Sequence, residues 1–256
     1  MGNRGLVDSG FVYEKYEERP HPGMRLGRNQ WLDGRSLSYM VENDAREMSG
    51  ALDDQRWDRV LPILDQGQLG SCTGNAGAGA LGTQPFYDAV GHAVLPAGDA
   101  AAAQAFAVQL YADATVADGY SGTYPPDDTG SSGLAVCKVL KSRGVIAGYR
   151  WARSPYGLLR LLQKGPVLQG MPWYTAFFEP DADGFIDADP AWPGSGISGG
   201  HEVEAVGVEI DSADAFSSAL IYANSWGTGW GDAGYFRMRL RTYERLTGVD
   251  LKQFVV

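Results

Sequence analysis

DQGQLGSCTGNA, residues 65–76, leads through two glycines to a cysteine and then into a run of small residues. The glycines suit a tight turn, and the following TGNAGAGALGTQPFYDAV suits a helix over residues 73–90. Cys72 therefore stands at a turn-to-helix junction. The first turn of a helix together with an adjacent imidazolium lowers a thiol pKa from near 8.5 to about 3–4, which makes a nucleophile. Gly74, Gly77 and Gly79 would each weaken that helix by roughly 1 kcal/mol relative to alanine. Their use points to close packing against another element.

Outward from this stretch the chain changes character once. WDRVLPILDQ before it reads as an extended approach, and AAAQAFAVQLYADATVAD and LAVCKVLKSRG after it read as helices, the second closed by Gly144. Leu134, Cys137 and Leu140 recur at a spacing of three, so Cys137 reads as a buried structural thiol. Beyond Tyr149, LLRLLQKGPVLQGMPWY reads as a short helix, a Gly-Pro break and a strand. In HEVEAVGVEI, His201, Val203 and Ala205 point one way while Glu202 and Glu204 point the other. SALIYANSW puts Leu220, Tyr222 and Asn224 on one face. The polar IDSADAFSS between them implies an antiparallel pair that brings His201 and Asn224 to one sheet surface. The organisation expected is α+β, with an N-terminal extension over residues 1–50, a mainly helical lobe over 51–150 and a β-rich lobe over 151–256. The extension reads as a propeptide, a docking arm for a larger assembly or an extra layer on the fold.

Composition narrows the partners. Among 256 residues, 21 basic against 31 acidic side chains give a net charge of −10, which repels nucleic acid backbones and anionic lipid. No stretch approaches the roughly 20 apolar residues of a membrane span, and MGNRGLVDSGFVYEKYEERP lacks the apolar core of a secretory leader. The expected location is the cytoplasm of the producing cell, or a virion if the chain is phage-encoded. Two cysteines make no disulfide framework. PDADGFIDADP lacks the register and closing glutamate of a calcium loop, so no metal and no cofactor are expected. His21 and His92 read as surface histidines.

Cys72, His201 and Asn224 thus form a candidate catalytic constellation. An asparagine oxygen accepting a ring proton fixes the tautomer and orientation of a histidine without adding charge. LDQGQLGSC, SGGHEVEAVG and YANSWGTGWGDAGYF together resemble the papain-like cysteine peptidases, of a bacterial or phage type without a leader. The resemblance spans about residues 57–256 and implies a two-lobe fold: a helical left lobe, a β-barrel-like right lobe, and the active site in the cleft between them. It implies Cys72 as nucleophile, His201 as its proton partner, Asn224 as the orienting residue and Gln66 as the side-chain donor of the oxyanion hole. Trp226 would shield the His–Asn bond. Gly130 and Ser131, with Gly70, Ser71 and Gly200, would line the substrate cleft. Leu69, Thr73 and Gly200 depart from the usual cysteine, aromatic and acid or amide residues of that family without removing a reacting group. Residues 1–50 lack the helical pattern of familiar inhibitory propeptides, so a self-inhibited precursor is not implied.

The reading that follows is thiol-dependent hydrolysis of a polypeptide substrate. A cell-wall peptide amidase uses the same chemistry, and a virion-assembly module retaining the fold needs none of it. The pocket that reads a substrate side chain is expected from parts of PVLQGMPW and the turn at Ser131 and Ser132, and the acidic surface leans toward basic substrates.

Overall fold

A computed structural model describes residues 3–7, 11–19 and 21–256. The amino-terminal arm forms a three-stranded antiparallel sheet of β1 (Asn3–Val7), β2 (Phe11–Lys15) and β3 (Gln30–Asp33). Between β2 and β3 the chain crosses the body of the protein.

The first half of the body is helical. α1 (Cys72–Leu81) is buried along its whole length and packs against α3 (Ala100–Ala117) and α4 (Gly133–Ser142). Its glycines allow that approach: a Cβ on Gly74 would lie 2.2 Å from the Ala107 carbonyl oxygen, and one on Gly77 2.6 Å from Val136 Cγ1. The single helix expected over residues 73–90 is broken. The Gly82 carbonyl accepts from Val60 N–H at 2.8 Å and Leu61 N–H at 3.3 Å, so it is diverted from helical bonding. The chain resumes as the short α2 (Phe86–Ala89). Asp99 and Ser132 cap α3 and α4 by accepting from Ala102 N–H and Ala135 N–H, and Gly144 takes φ +70° beyond α4. Leu134, Cys137 and Leu140 are fully buried on the inward face of α4, and both cysteines are free.

The second half supplies most of a seven-stranded antiparallel sheet. β4 (Gln55–Arg56) pairs with β7 (Ile197–Glu209), and the main order is β5 (Gly148–Ala152), β10 (Asp250–Val255), β6 (Val167–Tyr174), β7, β8 (Ala219–Ala223), β9 (Tyr235–Arg239). α5 (Pro155–Leu162) and α6 (Leu240–Arg245) lie beside it. The sheet is open, which corrects the barrel-like expectation. Its edges meet other segments instead of each other: Trp151 of β5 bridges Met40, and Arg237 of β9 bridges Phe185. One sheet face carries the helical layer, with Leu168 and Phe254 packed among α1, α3 and α4 side chains. The other carries Trp173, Val203, Ala205, Tyr222 and Phe236. β7 is therefore buried on both faces, and Glu202 and Glu204 point into the helical side.

Candidate active site

β7 and β8 pair in the expected antiparallel sense, Glu204 opposite Ala223, which sets Asn224 one step beyond the strand beside His201. His201 Nε2 and Asn224 Oδ1 lie 2.7 Å apart, so this nitrogen carries the proton. Asn224 Oδ1 also accepts from Ser225 N–H at 2.8 Å. The His201 ring is fully buried, stacked on Trp226 at 4.7 Å and met edge-on by Trp173 at 4.9 Å. His201 Nδ1 has no hydrogen-bond partner.

Cys72 begins α1, and the backbone N–H of Glu202, the residue after His201, acts on its thiol. Gln66 is tied to the histidine side through Ser225, whose hydroxyl donates to Gln66 Oε1 at 2.7 Å. The structure thus brings Gln66, Cys72, His201 and Asn224 to one end of β7, with Cys72 beside the Glu202 backbone and not bonded to the His201 ring. Ser225 and Trp173 were not singled out in the sequence. Ser225 sits in the same NSW triplet as Asn224 and Trp226, which was the available signal.

All four residues are buried, and the arm lies over the Gln66 and Gly200 side of the site. Gln66 Nε2 donates to the Leu26 carbonyl at 3.2 Å and to Leu69 O at 2.9 Å. Gly200 O accepts from Gly27 N–H at 3.2 Å and Arg28 N–H at 2.9 Å, while Ser131 N–H donates to Gly27 O at 2.9 Å and Ser131 O accepts from Asn29 N–H at 2.6 Å. Trp226 Nε1–H donates to Arg25 O at 2.9 Å. Gly27, with φ +131°, runs so close to Gly70 that a Cβ would lie 2.1 Å from the Gly70 carbonyl oxygen. The arm lies over the cleft residues as extended backbone, without the helices of familiar inhibitory propeptides, and backbone pairing leaves no side-chain period to read.

The other expected cleft residues divide. Ser131, Gly200, Gly70 and Trp226 meet the arm as above. The Gly130 N–H turns away to the Tyr111 hydroxyl at 3.0 Å, and the Ser71 hydroxyl accepts from Asn75 Nδ2 at 3.0 Å. Asp128, unnoticed in the sequence, accepts from Gly70 N–H at 3.0 Å, Tyr111 OH at 2.7 Å and Arg25 at 2.9 Å, joining turn, helix and arm. His21 is not the surface residue expected: it stacks on Phe178 at 4.0 Å. His92 is exposed.

Electrostatically the covered site is neutral. Burial pushes the Cys72 thiol well up, against the lowering effect of the Glu202 N–H. Burial also lowers His201 to about 4, with the Asn224 bond acting the other way. Beside them lies a buried charge cluster. Arg28 NH2 donates to Asp250 Oδ2 at 2.8 Å and to Gly248 O at 2.9 Å; Lys252 Nζ donates to Glu202 Oε1 at 2.8 Å and also to Asp250. Burial raises Glu202, with Lys252 opposing it; burial also works on Asp250, but Arg28 and Lys252 hold that carboxyl below its usual range. No group of metal-ligating side chains occurs among the described residues.

Residues 133–253, which include His201 and Asn224, match the family described as papain family cysteine protease. This segment is similar to the papain family of cysteine proteases. Cysteine proteinase 3 of Entamoeba histolytica is 35% identical over 103 residues, which cover 39% of this chain and 32% of that protein. The chain thus spans about a third of the curated relative it matches. Xylellain, a cysteine protease from Xylella fastidiosa, superposes with TM-score 0.63 at 16% identity, over 93% of this chain and 99% of that one. Digestive procathepsin L 3 of Tenebrio molitor larval midgut follows at TM-score 0.52 and 19% identity, over 81% of this chain and 71% of that one. The fold is papain-like.

Proposed function

We propose that the chain hydrolyses peptide bonds by thiol catalysis, with Cys72 as nucleophile, His201 as proton carrier, Asn224 as its orienting partner and Gln66 as an oxyanion donor. The observation that carries this reading is the arm itself. An extended polypeptide backbone lies in the cleft on Ser131, Gly200 and Gln66, with a peptide carbonyl on the Gln66 amide. A cleft that holds one peptide this way suits another.

With the arm displaced, water and a substrate carbonyl reach the site, and the proton of Cys72 passes to His201. The sulfur then bonds to the carbonyl carbon, and the oxygen that becomes negative takes hydrogen bonds from Gln66 Nε2 and the Cys72 backbone N–H. As the C–N bond breaks, His201 gives its proton to the leaving amine. Water attacks the thioester, its proton passing to His201, and the acid leaves with Cys72 restored as a thiol. Asn224 holds the ring throughout, and Trp226 and Trp173 keep water from the His–Asn bond.

The test is labelling of the full chain by a peptidyl epoxide from pH 4 to 9, alongside cleavage of an unfolded protein. Modification is expected at Cys72 alone, absent in Cys72→Ala and slowed about 100-fold or more in His201→Ala. Equal labelling rates in wild type and His201→Ala would end the proposal.

A further inference from the structure

The side chain of Arg28 is fully buried although its backbone lies in the open track of the cleft. It enters a pocket whose far end is formed by Asp250 Oδ2 and the Gly248 carbonyl, both reached by one guanidinium nitrogen, with Tyr16 OH 3.4 Å from the other and Glu202 Oε2 3.8 Å from Nε. Two glycines keep the space open. A Cβ on Gly170 would lie 2.5 Å from Arg28 Nε, and one on Gly133 would lie 2.0 Å from Glu202 Oε1. Asp250, Glu202, Gly170 and Gly133 belong to the body. Only Arg28 and Tyr16 come from the arm.

Charge makes the pocket selective. Asp250 and Glu202 bring two carboxylates, and Lys252 balances one of them. Without Arg28 the buried Asp250 Oδ2 loses the donor that faces it, which is unfavourable while the pocket stays dry. The partners are spread around the planar head, Asp250 and Gly248 at one nitrogen, Tyr16 at the second and Glu202 beside Nε, which suits the several donors of a guanidinium better than a compact ammonium.

The place of the pocket along the cleft follows from the proton path. The leaving amine takes its proton from His201, on the Trp226 side, so the acyl part of a substrate extends toward Ser131. Arg28, bridged to Ser131 and two residues beyond the carbonyl on Gln66, is on the acyl side. From Arg25 on Trp226 to Asn29 on Ser131, the arm runs from leaving side to acyl side, opposite to a substrate. It fills the pocket without presenting a peptide bond in the cleavable sense.

We propose that this pocket selects substrates with arginine at the residue preceding the one whose carbonyl is attacked, and that Asp250 is the specificity-determining residue, with Arg28 standing in for the substrate side chain. The proposal rests on the thiol peptidase reading.

The experiment compares two acyl-Xaa-Ala acyloxymethyl ketones, with Xaa arginine or leucine, as labels of Cys72 in the full chain. In Arg28→Ala the arginine probe should react at least about tenfold faster than the leucine probe, since a buried polar site rejects a ligand that leaves it unpaired. Adding Asp250→Asn should bring the two rates together. Gly27→Ala dislodges the arm by a backbone clash with all four charged residues kept, and the same order is expected there if Arg28→Ala does not fold. Equal rates, a faster leucine probe, or a preference that survives Asp250→Asn would overturn the pocket assignment while leaving the peptidase reading intact. Reaction with iodoacetamide but with neither ketone would overturn the peptidase reading and the assignment with it.

Discussion

Glu202 and Glu204 stand two residues apart on one face of β7, both buried and each paired with an arginine, but the two arginines are held differently. Arg59, the partner of Glu204, comes from a segment built into the body: Trp57 N–H donates to Val206 O at 2.8 Å and Val60 N–H to Gly82 O at 2.8 Å. Its guanidinium also reaches the Leu61 and Pro62 carbonyls. Arg28, which meets Glu202 and Asp250, comes from the arm. The same chemistry therefore makes a permanent joint at one glutamate and a removable one at the other. A buried ion pair contributes little net stability, but losing one partner costs much unless water can enter.

The largest effect should separate the two arginines. Arg59→Ala leaves Glu204 unpaired inside the body and should cost about 3–5 kcal/mol of unfolding free energy in denaturant titrations. Arg28→Ala should cost clearly less, because the arm can lift and let water reach Asp250 and Glu202. Equal losses would break the distinction.

Acid should act next, through His201 on the removable side. Its pKa is lowered to about 4 because burial strips water from the ring, with Asn224 opposing. Below the ordinary value near 6.5 the unfolded chain takes up a proton that the closed site refuses. The stability contribution is thus complete above about pH 6.5 and is lost as pH falls toward 4, by about 3 kcal/mol. Glu202, Glu204 and Asp118 have raised pKa values and shift stability in the opposite sense. The measurement is therefore the difference in unfolding free energy between wild type and His201→Gln at each pH. A flat difference would show that the closed site does not exclude the proton.

Gly27→Ala sharpens the comparison with the smallest change. Its Cβ would strike the Gly70 carbonyl, so the arm should detach and Cys72 alkylation should rise about tenfold, equivalent to about 1.4 kcal/mol of closure. The unfolding midpoint in denaturant should barely move, since the body keeps every contact of Arg59. A fall as large as that of Arg59→Ala would make the arm part of the core.

Much of the site was legible because side-chain periods report it. The alternation His201–Val203–Ala205 and the strand ending at Asn224 place two polar groups on one surface, and the glycine turn announces Cys72 at a helix start. The same alternation misleads for Glu202 and Glu204. A polar stripe on a strand usually faces water, whereas here it faces α1 and α4 and is neutralised by residues remote in sequence. The arm was illegible for another reason. Its grip on Ser131, Gly200 and Gln66 is made by backbone groups that every residue except proline carries in full. The helix break at Gly82 likewise depends on Val60, which arrives from outside the helix.

The arm is joined to β3 at Gln30, directly after the residues that lie on the cleft. So short a tether presents the occupant at an effective concentration on the order of millimolar, independent of how much protein is present. A free peptide must outcompete that constant rival, so the apparent KM should be raised by one fixed factor while saturation stays hyperbolic: scarce peptides mostly leave the cleft closed, and abundant or tightly held ones gain entry.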